Sequence, residues 1–100
     1  SYHALRDAKD EEQKQKSLRA LGGAVNKQVH DISEKYIVPG ETAESALMFL
    51  PSEAVYAELH ASLPAVLEQS YRAKVWIVSP TTLMATLNTI RAVLKDVQMR

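Results

Sequence analysis

The sequence predicts an α/β fold with two short parallel strands, a long N-terminal helix, two short crossover helices and a C-terminal helix. Three features point there. Two short, continuous apolar runs occur at about residues 45–50 (Ser45-Ala46-Leu47-Met48-Phe49-Leu50) and 74–78 (Lys74-Val75-Trp76-Ile77-Val78). Two helical patterns lie between them, and helical stripes flank them on either side. Continuous rather than alternating apolarity is the habit of strands covered on both faces, as in parallel sheets. Strand, helical crossover and strand make a βαβ unit, right-handed by default.

Taken in order, Tyr2 to Ala8 forms a short helix presenting Tyr2 and Leu5. Asp10 then reads as the N-cap of a second helix, with Gln13 completing a capping box. Glu11 and Glu12 fall in its first turn, where the helix dipole favours acids. Leu18, Leu21, Val25, Val29, Ile32 and Tyr36 recur at steps of three and four, one stripe of an amphipathic helix ending near Val38. Pro39-Gly40 stops it, since proline cannot continue the ladder. Gly22-Gly23 lies inside this pattern at a cost of about 1 kcal/mol per glycine relative to alanine. The pair marks either a local bend or break, or a close approach by another backbone.

The first crossover helix begins after Pro51-Ser52 and carries Val55, Tyr56 and Leu59. The second begins at Leu63-Pro64 and carries Val66, Leu67 and Tyr71. Ser79 as N-cap and Pro80 at the first helical position open the last helix, whose stripe runs Leu83, Leu87, Ile90, Leu94, Val97. No capping signal precedes Arg100, so the sequence reads as cut in mid-helix.

At 100 residues the chain suits one small domain that buries roughly 60–68% of its unfolded surface. Twelve basic residues balance twelve acidic ones, which argues against an electrostatic nucleic-acid binder and against a polybasic membrane-surface segment. No apolar run approaches the ~20 residues of a bilayer span, so no membrane contact by this segment is expected. Ser1-Tyr2-His3 shows no signal-peptide core, and the expected location is the cytoplasm. The absence of cysteine excludes disulfides, thiolate zinc sites and a cysteine nucleophile. Hydrophobic residues at 46% exclude a disordered chain.

If the strands are parallel, Pro51-Ser52-Glu53 and Ser79-Pro80-Thr81-Thr82 become neighbours at the carboxyl edge, where open α/β sheets bind ligands. Each segment opens a helix and presents backbone N–H groups to an anion such as phosphate, with the hydroxyls of Ser52, Ser79, Thr81 and Thr82 as further donors. The plainer alternative is that these hydroxyls only cap helices. Glu53 is the lone acid on this edge, a dipole partner unless a carboxylate from outside the chain joins it around a divalent cation. His3, His30 and His60 have no metal-ligand spacing, and no phosphate-loop, dinucleotide or nucleophile-elbow string occurs. Tyr2, Tyr36, Phe49, Tyr56, Tyr71 and Trp76 fall on apolar faces and are expected in the core. Arg72 and Lys74 belong to a solvated loop at the opposite edge. No complete active site is present.

Ala46-Leu47-Met48-Phe49-Leu50-Pro51-Ser52-Glu53-Ala54 resembles the Leu-Met-Phe-(Ile/Val/Leu)-Pro-x-Glu segment of the RmuC family, called DNA recombination proteins. Val75-Trp76-Ile77-Val78-Ser79-Pro80-Thr81-Thr82-Leu83 resembles that family's Val-Ser-Pro-Thr-Thr-Leu signature, at a fitting distance. The long helix ending in Tyr36 and the start Ser1-Tyr2-His3-Ala4-Leu5 fit as well, so the resemblance covers all 100 residues. It implies a nuclease-like domain of the PD-(D/E)XK, restriction-endonuclease-like type, in a bacterial protein that limits DNA rearrangements. Such proteins carry an N-terminal coiled coil, sometimes behind a membrane anchor.

In that fold acids hold Mg²⁺ or Mn²⁺, and the metal activates water for phosphodiester hydrolysis. The family's Asp-x-Lys pair immediately precedes the position of Ser1, so residues 1–100 read as a single partial domain, inactive alone and without a cofactor of its own. The resemblance makes Glu53 an auxiliary catalytic acid, and Ser52, Ser79, Thr81 and Thr82 phosphate-facing groups. DNA is the partner it implies for the whole protein. The alternative is a non-catalytic interaction module using the long helix. Self-association through that helix or through an exposed strand edge is also expected.

Overall fold

The computed structural model describes residues 1–99 in six elements: α1 (Tyr2–Tyr36), β1 (Ala46–Phe49), α2 (Glu53–Ser62), α3 (Pro64–Arg72), β2 (Val75–Val78) and α4 (Pro80–Gln98). β1 and β2 pair in parallel, with Ala46 opposite Val75 and Phe49 opposite Val78. The α/β class, the parallel pair and both crossover helices are as the sequence predicts, with strand ends differing by a residue or so.

The N-terminal region differs. Asp10 caps nothing; it lies inside one uninterrupted 35-residue helix that starts at Ser1, whose Oγ accepts the Ala4 N–H at 3.2 Å. A capping side chain ends a helix only where the preceding backbone leaves helical geometry, and no glycine or proline lies between Tyr2 and Leu21 to make it do so. Glu11 instead accepts a hydrogen bond from the Gln15 side chain one turn on, at 3.1 Å. The helix stops at Tyr36, two residues short of Val38, because Pro39 disfavours helical geometry in the residue before it. A turn closes with the Glu41 and Thr42 N–H groups both on the Val38 carbonyl at 3.0 Å, and Gly40 supplies its φ of 82°.

Neither glycine breaks α1. Gly22 is buried, and a Cβ there would stand 3.5 Å from Val66 Cγ2, so the close neighbours are the side chains of Leu63 and Val66 rather than another backbone. Gly23 faces open space.

The core lies on one face of the sheet. Val25 and Val29 of α1, Met48, Val75 and Ile77 of the strands, and Leu59, Val66 and Leu67 of the crossover form one buried cluster. The other face is mostly open among the described residues: Val78 is buried, but Leu47, Phe49 and Trp76 are about half exposed, with Tyr71 against Trp76 at 5.1 Å between ring centroids. The expectation of two covered faces therefore fails here, because α1 and α3 both pack on the Met48–Ile77 side. For the same reason Phe49 and Trp76 are exposed; Tyr2, Tyr36 and Tyr71, on helices, are exposed as well rather than core residues, while Tyr56 is partly buried against the cluster. α4 leaves the sheet edge and buries none of its residues.

Lys74 joins α3 to β2 at φ 60°, the left-handed position that commonly follows a helix. No described helix is long and apolar enough to cross a membrane.

Gly23→Ala removes helix-interior backbone freedom with no steric conflict. It is expected to stabilise the protein by about 0.5–1 kcal/mol, read from the midpoint of urea unfolding.

Candidate functional site

Parallel pairing brings the carboxyl ends of β1 and β2 to one edge, and each strand runs almost directly into a helix. The Leu50 N–H bonds the Val78 carbonyl at 2.8 Å, which carries the pairing one residue past the strands and fixes the two exits side by side. Ser52 then caps α2, its Oγ accepting the Val55 N–H at 3.1 Å. Ser79, fully buried, caps α4 through a capping box: its N–H donates to Thr82 Oγ1 at 2.6 Å, and its Oγ accepts the Thr82 N–H at 3.3 Å.

Glu53 joins the two helix starts. It is the first residue of α2, yet its Oε1 accepts the backbone N–H of Thr81 in the first turn of α4 at 2.6 Å. That contact spans 28 positions in sequence. With Pro80 lacking an N–H and Leu83 bonded to the Ser79 carbonyl at 2.8 Å, the opening turn of α4 finds its acceptors within the chain. The Glu53 carboxyl is held below the ordinary carboxylate range, first by the Thr81 hydroxyl and then by the Thr81 N–H. The Ser79 hydroxyl adds to this, against a small opposing cost of desolvation.

The five residues singled out in the sequence thus converge on one edge, in two groups. Ser79, Thr81, Thr82 and Glu53 form one hydrogen-bonded set, whereas Ser52 serves its own helix. The Glu53–Thr81 contact is the feature sequence reasoning missed. Pro80 at the first helical position makes the Thr81 N–H the first free donor of α4, and the lone acid on the edge is its obvious acceptor.

Among the described residues no three His, Asp or Glu side chains come together to hold a metal ion. Glu53 can offer a carboxylate oxygen to one, but residues 1–99 do not form a metal site by themselves. His60 lies elsewhere, Nδ1 2.9 Å from the Tyr56 carbonyl with its ring against Tyr56, a local helix contact. A groove of about 430 Å³ lined by Ile37, Pro39, Thr42, Glu44 and Lys74 lies at the opposite end of the sheet. It includes none of the residues at the carboxyl edge and is lined by the connecting turn. We therefore place the candidate site at the edge, where charge and polar groups converge.

The profile of the RmuC family matches residues 1–100. Two curated proteins named DNA recombination protein RmuC homolog, from Xylella fastidiosa strains Temecula1 / ATCC 700964 and 9a5c, are each 40% identical to the chain over 96 residues. Each alignment covers 90% of this chain and 20% of the relative, so the chain spans about a fifth of the curated relatives it matches. No solved structure matches the chain.

Two outcomes are expected from this geometry. Because the folded-state pKa of Glu53 is depressed, its contribution is present above the ordinary carboxylate range and is lost as pH falls through the folded value. Glu53→Gln should therefore melt below the parent at pH 7, with the gap closing on acidification; thermal melts across pH 2–7 check this. Ser79→Ala removes the cap of α4 and should cost about 1 kcal/mol in urea unfolding.

Proposed function

The chain belongs to the RmuC family, and from that premise we propose that it works within a DNA recombination protein, as part of a nuclease-like α/β domain acting on DNA. The observation that carries this is the carboxyl edge. A lone acid with depressed pKa bridges two helix starts there, ringed by the hydroxyls of Ser52, Ser79, Thr81 and Thr82. In this reading the edge faces the DNA backbone. The first N–H groups of α2 supply phosphate donors, and Glu53 acts as an auxiliary acid.

In this reading the divalent metal, Mg²⁺ or Mn²⁺, is held with acids from the rest of the protein. No catalytic step is assigned to residues 1–100, which form a partial domain in this reading and are inactive alone. The role of Glu53 is to hold α4 against α2, so that the edge presents a fixed charge beside whatever acids the rest of the protein supplies.

A second reading is a non-catalytic interaction module, and α1 supports it. Its central stripe is used up by the chain's own core, but residues 2–17 are all exposed. Loss of self-association on replacing Tyr2 and Leu5 with serine, followed by sedimentation, would favour it.

The nuclease reading is tested with the whole protein on linear and branched DNA, with Mg²⁺ or Mn²⁺. We expect cleavage that chelation abolishes, a fall of about 10–100-fold for Glu53→Gln, and none from residues 1–100 alone. Absence of cleavage by the whole protein, or robust cleavage by residues 1–100, overturns it.

A further inference from the structure

α4 carries an apolar seam that the described residues leave open beyond Leu83. Leu83, Leu87, Ile90, Leu94 and Val97 follow one another at steps of four, three, four and three. These steps fit a heptad, with Leu87 and Leu94 at a positions and Leu83, Ile90 and Val97 at d positions, and exposed Met84 and Val93 widen the apolar face at e and g. Such a stripe is written to pack against further polypeptide. Yet Leu87, Ile90, Leu94 and Val97 are 48, 50, 57 and 63% exposed.

The charges say what kind of helix fits. Arg91 and Lys95 lie on one flank of the seam, one turn apart, a like-charge pair that repels itself. Neither has an ion-pair partner among the described residues, where the ion pairs are Arg72–Glu68 and Lys74–Glu44. Asp96 is the one acid of α4, and the 100° step of the helix puts it on the side away from the seam, beside Ala92.

A second copy of α4 is a poor occupant. An antiparallel pair sets like flanks together and would bring Arg91 against the same residue of the other copy. A parallel pair would put leucine at a and β-branched residues at d, a choice that shifts association away from two strands.

We propose that the α4 seam is the docking face for an amphipathic helix of the same polypeptide, outside residues 1–100, with an apolar heptad seam and carboxylates on the flank facing Arg91 and Lys95. Room for such a helix exists, since the curated relatives are about five times as long as the aligned part of this chain. The docked helix would cover the four exposed seam residues and relieve the Arg91–Lys95 repulsion together. This holds whether or not the protein cleaves DNA.

The test is thiol labelling of the whole protein. Residues 1–100 lack cysteine, and any cysteine elsewhere is first replaced with serine. Ile90→Cys and Leu94→Cys report the seam, and Ala92→Cys reports the opposite side of the same helix. A maleimide should label Ala92→Cys at least about tenfold faster than either seam variant, at a ratio independent of protein concentration. Adding Arg91→Glu with Lys95→Glu should bring the Ile90→Cys rate up to that of Ala92→Cys, whereas Arg91→Lys should leave it slow. Equal rates on the two sides of α4 overturn the proposal, because the seam is then open. Protection that disappears on dilution overturns it in favour of a second copy. Protection that survives charge reversal overturns the acidic flank.

Discussion

Two four-residue strands that run parallel need a connection that carries the chain from the end of one back to the start of the other. Here α2 and α3 make that return and must pack on the sheet as they do so. Most of the architecture descends from this. The crossover puts Leu59, Val66 and Leu67 over one sheet face, and α1 lays Val25 and Val29 against the same cluster. At Gly22, α1 faces the side chains of Leu63 and Val66 across ordinary contact distances. Parallel pairing also sends both strands out at one edge, so two helix N-termini with their positive dipole ends are forced together.

That juxtaposition is unfavourable until an anion sits between the helix starts, and Glu53 is the anion. Its carboxylate takes the Thr81 N–H, so α4 starts on a charge supplied by α2. The consequence for ligands is specific. An anion arriving at this edge does not meet two bare dipoles; it meets a carboxylate held ionised below its ordinary range. Binding there is favourable only with positive charge from elsewhere, such as a cation or basic residues of the remaining protein.

The legible parts of the sequence were those fixed by local chemistry. Ser79-Pro80 announces a helix start through a cap and a preset φ, and Ser52 does so through its hydroxyl; both act as read. The continuous runs around Met48 and Ile77 announced parallel strands. The parts that escaped depended on what lies beyond the local window. Asp10 has the side chain of a cap, but capping needs the chain before it to leave the helix, and the preceding residues are good helix formers. Gly22-Gly23 resembles a break, yet continuity on both sides outweighs about 1 kcal/mol per glycine. The site was legible as a place and not as a contact. Topology puts Glu53 and Thr81 on one edge, but the hydrogen bond between them depends on a side-chain rotamer that no spacing rule encodes.

The aromatics show the same gap on a larger scale. Phe49 and Trp76 sit on apolar runs and were expected inside, yet they stand on the wet face of the sheet with Leu47. Their exposure does not contradict the run pattern; it says which face the pattern's second half was written for. A two-stranded sheet needing only one covered face would alternate polar and apolar residues, and Leu47-Met48-Phe49 and Trp76-Ile77-Val78 do not. The exposed apolar seam of α4 carries the same message in helical form. Large contiguous apolar surfaces in water are where proteins associate. The sheet's outer face and the α4 seam are therefore the two surfaces where further polypeptide gains most by packing.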